Sequence, residues 1–437
     1  MDPPPGAEGD NIKQTKSAPL SEHRAKSDFK HKFGGVQETK SPIWNRNADG
    51  AECAAYSIFD ASRIPDFKRP MMCCHSFFRS FALAFTLIAV AIANGGCNDA
   101  QHDASSARPL PALGAKVDET SVSGISSGAY MAGQFQMAHA KRVVGAAIIA
   151  GGPYGCSESI FANTMPGTGT AILNLSKAVN GCMLNLLGIW GVSDPEDLAK
   201  KAEERAAKGE IDPIADVVRD RIYLFTGTSD RTVAPAIVKH AAEFYEKLGV
   251  PKANIDLVSD LPAGHAFVTD DEGSACSVSG EPYVVNCGYD QAGALLKFIY
   301  GDLQPRATTL SGNFFDFDQR PFVSDDNSAE LAETGVVYVP KSCTETPGCR
   351  VHIAFHGCAQ NREAVGDTFI KESGFARWAD TNRFIVLFPQ VADSAANPQG
   401  CWDWWGYTGP QYLTRDAPQI AAVNRMLDAL QAPGGGA

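Results

Sequence analysis

The chain has no Cys-x-x-Cys pair among its 12 cysteines, so the spacing of a zinc site is missing. No basic tract runs through its body, and its formal net charge is −12 over 437 residues. That balance argues against nucleic acid and anionic membrane as partners. The apolar run over residues 81–93 ends after 13 residues. A membrane helix needs roughly 20, so no stable span is expected in the mature form. What is present suits a soluble globular protein of one large domain or two, with 44% hydrophobic and 20% charged residues.

The cysteines divide into an early group, Cys53, Cys73, Cys74 and Cys97, and a later group of eight. The even later number reads as a disulfide set formed in an oxidising compartment. Proximity pairs Cys156 with Cys182, Cys276 with Cys287 and Cys343 with Cys349, leaving Cys358 and Cys401, although sequence alone leaves the connectivity open. Each bridge is worth about 2–4 kcal/mol, mostly by restricting the unfolded chain.

Residues 1–70 are polar and mixed in charge, and read as a disordered extension or as residues outside the mature protein. Residues 71–97 have a secretory layout: Arg79, the apolar run, then Ala91-Ile92-Ala93 as a cleavage site. The layout sits late in the chain, so translation from Met71 or Met72 is the expected start. A lipoprotein cysteine at Cys97 ranks second, and either way a secreted or periplasmic protein is expected. A polar linker, 98–110, leads to a body over 111–432.

Strand-like runs at 143–150, 221–226, 255–259, 335–339, 351–355 and 384–388 alternate with helix-like runs at 129–141, 195–208, 234–248, 291–300, 373–382 and 418–430. This alternation predicts an α/β fold, a mostly parallel sheet flanked by helices, with chemistry gathered at the carboxyl ends of the strands.

Gly124-Ile125-Ser126-Ser127-Gly128 is a Gly-x-Ser-x-Gly sequence between an extended stretch, 116–122, and the first helix-like run. That is the strand–turn–helix context of a nucleophile elbow, with Ser126 at the tip beside free helix N–H groups. Asp230 follows the strand-like run 221–226, and His265, after Gly264, follows 255–259. The order Ser126, Asp230, His265 is that of the α/β-hydrolases. A serine hydroxyl is a weak nucleophile and needs a base, which His265 would supply, with Asp230 holding the imidazole tautomer.

An α/β-hydrolase carries a His-Gly oxyanion loop before its nucleophile. Here none precedes Ser126, and one follows the triad, Phe355-His356-Gly357-Cys358. Circular permutation explains this displacement: residues from about 335 onward build the first half of the sheet. His356 reads as a structural histidine before a tight turn rather than a fourth catalytic residue. The Cys358 amide would then stand opposite that of Ser127. Cys401-Trp402-Asp403-Trp404-Trp405-Gly406-Tyr407 adds an aromatic wall, joined by a bridge to the oxyanion loop.

These motifs resemble those of short-chain-length poly(3-hydroxyalkanoate) depolymerases of the circularly permuted, type 2 kind. They are Gly124 to Met131, Gly227-Thr228-Ser229-Asp230, Gly264-His265, Phe355 to Cys358, and Asn397-Pro398-Gln399-Gly400-Cys401-Trp402. These motifs span about 110–432, nearly all of the expected mature chain. The resemblance implies Ser126, Asp230 and His265 as the triad, the amides of Ser127 and Cys358 as the oxyanion hole, and Trp402 near the substrate. Trp404, Trp405 and Tyr130 are further substrate-binding candidates. The implied reaction is hydrolysis of poly(3-hydroxybutyrate) esters by a monomer without metal or organic cofactor. Many extracellular members carry a linker and a polymer-binding domain after the catalytic one. The sequence stops at Ala437, so amorphous polymer or soluble oligomers are the expected substrates. The competing readings are an exported esterase of the feruloyl or acetyl type and a non-catalytic binding protein on a hydrolase scaffold.

Overall fold

The computed structural model describes residues 107–160, 168–184, 193–324 and 327–434. The expected extension, the signal segment, Cys97 and all but the end of the linker lie outside the described residues. Eleven strands are described: β1 Lys116–Ile125, β2 Val143–Ile149, β3 Arg221–Phe225, β4 Ile255–Val258, β5 Phe267–Thr269, β6 Ser274–Ala275, β7 Val284–Asn286, β8 Asn313–Asp318, β9 Thr334–Val339, β10 Arg350–Phe355 and β11 Phe384–Phe388. Eight of them form one sheet in the order β4-β3-β2-β1-β10-β11-β9-β8, and β5-β7-β6 form a small second sheet. From β4 across to β11 the pairing is parallel, while β9 and β8 add antiparallel. The fold is therefore α/β, with a mostly parallel mixed sheet.

Seven longer helices accompany it: α1 Ser127–Ala138, α2 Thr168–Cys182, α3 Pro195–Lys208, α4 Pro235–Lys247, α5 Gln291–Tyr300, α6 Phe375–Asn382 and α7 Pro418–Gln431. The central strands are buried on both faces because both are covered, and successive residues point opposite ways. Most of these residues are apolar, while Ser121 and Ser123 of β1 are satisfied by His352 of β10. Ile222 and Leu224 face a core built with α1, α4 and α7, whereas Tyr223 and Phe225 face one built with α5 and α6. The strands and helices read from the sequence recur with shifts of a few residues at their ends. The additions are α2, β8 and the small sheet. Among the described residues four disulfides form, Cys156–Cys182, Cys276–Cys287, Cys343–Cys349 and Cys358–Cys401, the same pairs that proximity along the chain gives.

Helix α1, which follows Ser126, is buried along its whole length, so its polar residues need partners inside the protein. Gln134 Nε2 donates to the carbonyls of Asp403 (2.9 Å) and Tyr412 (3.0 Å). Gln136 accepts from the Tyr245 hydroxyl (2.8 Å) and donates to Asp220 Oδ2 (2.8 Å). The other carboxylate oxygen of Asp220 has no partner among the described residues. Burial pushes the Asp220 carboxyl up to about 8. A folded-state value above the unfolded one means that Asp220 favours the fold at low pH, and that this contribution is lost as pH rises through about 8. Asp220→Asn keeps the acceptor for Gln136 and removes the titration. Thermal melts are expected to show no Tm difference from the parent near pH 3, a difference that opens as pH rises above about 4, and its full size of several degrees near pH 9. A pH-independent difference would remove Asp220 as the cause.

Candidate active site

Ser126 has φ 57° and ψ −122°. Positive φ is strained for a residue with a side chain, and such strain is kept only where the surroundings impose it. Here they do. A Cβ on Gly124 would lie 2.0 Å from the Gly128 carbonyl oxygen, and one on Gly128 would lie 2.3 Å from that of His356. Both glycines are thus required for the elbow to close against the end of β10. The turn leaves the Ser126 side chain at the carboxyl end of β1, at the start of α1.

Asp230 and His265 follow β3 and β4, two and three places along the sheet from β1. Their loops are clamped together. The Thr228 amide donates to Leu261 O (2.8 Å) and the Ser229 amide to Ala263 O (3.1 Å). Gly227 is needed for this approach, because a Cβ there would lie 2.0 Å from Ala263 O. Asp230 is 1% exposed. Its Oδ1 accepts the amides of Thr232 (2.8 Å) and Val233 (2.9 Å), and its Oδ2 lies 2.8 Å from His265 Nδ1. A carboxylate can only accept, so Nδ1 carries a proton and Nε2 is the basic nitrogen of neutral His265. The His265 amide donates to Ser279 Oγ (2.7 Å), which holds the residue from its backbone side.

The loop after β10 meets the elbow directly. A Cβ on Gly357 would lie 2.6 Å from Gln360 Oε1 and 3.2 Å from Ser126 Cβ, so a side chain there would crowd both. His356 is fully buried, and burial pushes it down to about 4. Its Nδ1 donates to Gly357 O (2.8 Å), and its Nε2 accepts the Val391 amide (3.2 Å). In a trans peptide C=O and N–H point opposite ways. By holding Gly357 O, His356 therefore fixes the direction of the Cys358 N–H. The neighbouring amides are engaged, Gly357 by Gln360 Oε1 (2.7 Å) and Ala359 by Gln399 O (2.7 Å).

The aromatic wall expected from the sequence is a packed cluster. Trp402 is fully buried between Phe355 and His356, with ring centroids 4.9 and 5.5 Å away. The sequence expectation for Trp402 is a place near the substrate; its ring has no exposed surface and packs against the end of β10 and the loop that follows. The Trp402 amide donates to Ser127 Oγ (3.3 Å), tying the elbow to this segment. Tyr130 stacks on Trp404 at 4.1 Å, and with Trp405 they pack against both disulfides of the region. These three rings are 4–7% exposed.

Two residues the sequence reading gave no role organise this surface. Asp403 Oδ1 accepts the amides of Trp405 (3.3 Å), Gly406 (2.6 Å) and Tyr407 (3.1 Å), and its Oδ2 accepts from the Thr408 amide (3.0 Å) and hydroxyl (2.6 Å). An aspartate followed by a Gly and a Thr within five residues is a turn signal that could have flagged it. Gln360 stands two residues past the Phe355–Cys358 motif and has no comparable signal.

No family model matches the chain. It is 37% identical over 332 residues to the poly(3-hydroxybutyrate) depolymerase of Delftia acidovorans, a match covering 75% of this chain and 62% of that protein. It is 35% identical over 337 residues to the polyhydroxybutyrate depolymerase of Talaromyces funiculosus, covering 72% of this chain and 91% of that one. The crystal structure of PHB depolymerase from Penicillium funiculosum superposes with a TM-score of 0.64 at 33% identity, covering 74% of this chain and 98% of that one. A serine-to-alanine PHB depolymerase complexed with an R3HB trimer matches with the same figures. The identity, the coverage and the shared fold lead to one assignment: the chain belongs to the poly(3-hydroxybutyrate) depolymerase family.

Proposed function

We propose that the protein is an exported serine esterase that hydrolyses poly(3-hydroxybutyrate)-type polyesters or their oligomers. The observation that carries the reading is the strained Ser126 at the end of β1, on the same sheet edge as the buried Asp230–His265 pair. In this reading Ser126 Oγ attacks the ester carbonyl while His265 Nε2 takes its proton. The tetrahedral oxyanion is held by the amides of Ser127 and Cys358. His265 then protonates the leaving hydroxyl end of the chain. Water, activated by the same nitrogen, releases the 3-hydroxyacyl group from Ser126. The edges of Tyr130, Trp404 and Trp405 supply the apolar surface for the acyl unit, and Trp402 acts through the loop it supports.

The same reading takes residues 111–432 as one catalytic domain with a circularly permuted α/β-hydrolase fold. In sheet order, β8, β9, β11 and β10 lie on one side of the nucleophile strand β1, and β2, β3 and β4 on the other. The strands on the first side come last in the chain, with the oxyanion loop following β10, which supports permutation. The four disulfides support an extracellular setting, and no described helix is long and apolar enough to cross a membrane.

The test is release of soluble 3-hydroxybutyrate and its oligomers from amorphous poly(3-hydroxybutyrate), with p-nitrophenyl butyrate and methyl ferulate in parallel. Release from the polymer is expected. Cleavage of the small esters without release would leave the serine esterase standing and remove the polyester.

A further inference from the structure

The oxyanion loop and the loop that bears His265 come from separate segments of the chain, after β10 and after β4, yet an acyl transfer needs both aligned on one carbonyl. A single buried side chain spans them. Gln360 is 4% exposed. Its Oε1 accepts the Gly357 amide (2.7 Å), and its Nε2 donates to Tyr283 O (3.4 Å). Gly357 is thereby held at both ends, by Gln360 at its N–H and by His356 at its C=O.

Tyr283 belongs to the loop closed by Cys276–Cys287, and that loop braces the base. Its Ser279 Oγ accepts the His265 amide, its Cys276 carbonyl accepts the Gly264 amide (2.9 Å), and Tyr283 O also accepts the Phe267 amide (2.8 Å). A Cβ on Gly264 would lie 2.2 Å from Val278 O, so the two segments are in direct contact. The contact chain runs from the Cys358 amide through Gly357, Gln360 and Tyr283 to the segment 264–267. Glutamine suits this place because it offers one acceptor and one donor without charge.

We propose that Gln360 is a positioning residue that locks the oxyanion amide of Cys358 in register with the loop carrying His265. The inference rests on the esterase reading above but not on the polyester. When Gln360 is lost, His356 still orients the Gly357–Cys358 peptide, but the loop that carries it is untied from Tyr283 and can shift away from the developing oxyanion. Full removal of one such donor costs about 10²–10³ in rate. The expected signature is a transition-state effect: kcat falls and KM stays.

The experiment compares the parent with Gln360→Met, which has neither donor nor acceptor, and Gln360→Asn, whose shorter amide cannot reach both partners. The substrate is p-nitrophenyl butyrate, and butane-1-boronic acid serves as a tetrahedral mimic. A kcat loss of about 10–10² is expected in both variants, with KM within about twofold. The Ki of the boronic acid should rise in proportion to the loss in kcat/KM, which a merely structural defect would not produce. If Gln360→Met fails to fold, Gln360→Asn still decides. A folded variant with kcat within about threefold of the parent, or with its loss confined to KM, overturns the proposal. A parent inactive toward p-nitrophenyl butyrate would overturn the esterase reading, and this inference with it. A parent active on that ester but not on the polymer leaves the Gln360 test fully decisive.

Discussion

Ser126→Ala is expected to lower kcat by about 10⁴–10⁶-fold, on p-nitrophenyl butyrate and polymer alike. The hydroxyl is the only group the substitution removes, and the residual rate comes from binding and the two oxyanion amides. Stability should not fall with activity. Alanine keeps the Cβ that makes φ 57° unfavourable, so its Tm is expected to match the parent's. Ser126→Gly relieves strain of roughly 1–3 kcal/mol against a glycine entropy cost of roughly 0.5–1 kcal/mol. It should therefore melt higher while being equally inactive. A residue that destabilises its own fold and is required for turnover is the pattern of a functional elbow rather than of an ordinary turn. Activity persisting in Ser126→Ala would remove Ser126 as nucleophile and the triad with it. Thermal melts and steady-state kinetics on the two variants decide both halves.

The candidate site was legible because its constraints are local. Gly124 and Gly128 are demanded by contacts within a few residues of Ser126 or directly across from it, and glycine at fixed spacing records such demands. Asp230 and His265 were legible from strand ends, since each parallel strand in this sheet ends at the same edge. Parts of the fold resisted for physical reasons. Strands β5, β6 and β7 are only two or three residues long, too short for any periodicity. Strand β8 (Asn313–Asp318) interleaves Phe with Asp at the sheet edge and is mostly half-buried, so its pattern is weak. Helix α2 carries Thr, Gly and Asn in poor helix-forming company, and is held by Cys156–Cys182 and by packing on the Tyr130–Trp404 pair. The aromatic run is ambiguous in another way. A run of Trp residues records apolar character but not which side of a loop it fills, and the Trp402 ring is fully buried. Gln360 was hidden because its two partners lie 3 and 77 residues away along the chain.

Asp230→Asn should be nearly as damaging to turnover as loss of the serine, through a tautomer rather than a missing atom. The Asp230 carboxylate satisfies three donors: two backbone amides at Oδ1 and His265 Nδ1 at Oδ2. An asparagine has one oxygen and one NH₂. The two amides, fixed by the turn at Thr232 and Val233, claim the oxygen, so the NH₂ faces Nδ1. A donor facing Nδ1 forces that nitrogen to accept, and the ring proton moves to Nε2. The nitrogen that must accept the serine proton is then occupied. The expected result is a fall in kcat of about 10⁴-fold with little change in KM. Geometry is preserved, because side-chain volume and the two turn hydrogen bonds remain. Asp230→Ala breaks those bonds as well and leaves two amides at a buried position unsatisfied, at roughly 1–3 kcal/mol. Its Tm should drop where that of Asp230→Asn holds. Equal kcat loss in the two variants with different melting temperatures would locate the Asp230 effect in the His265 tautomer. An Asp230→Asn enzyme retaining parental kcat would mean that His265 is not the base.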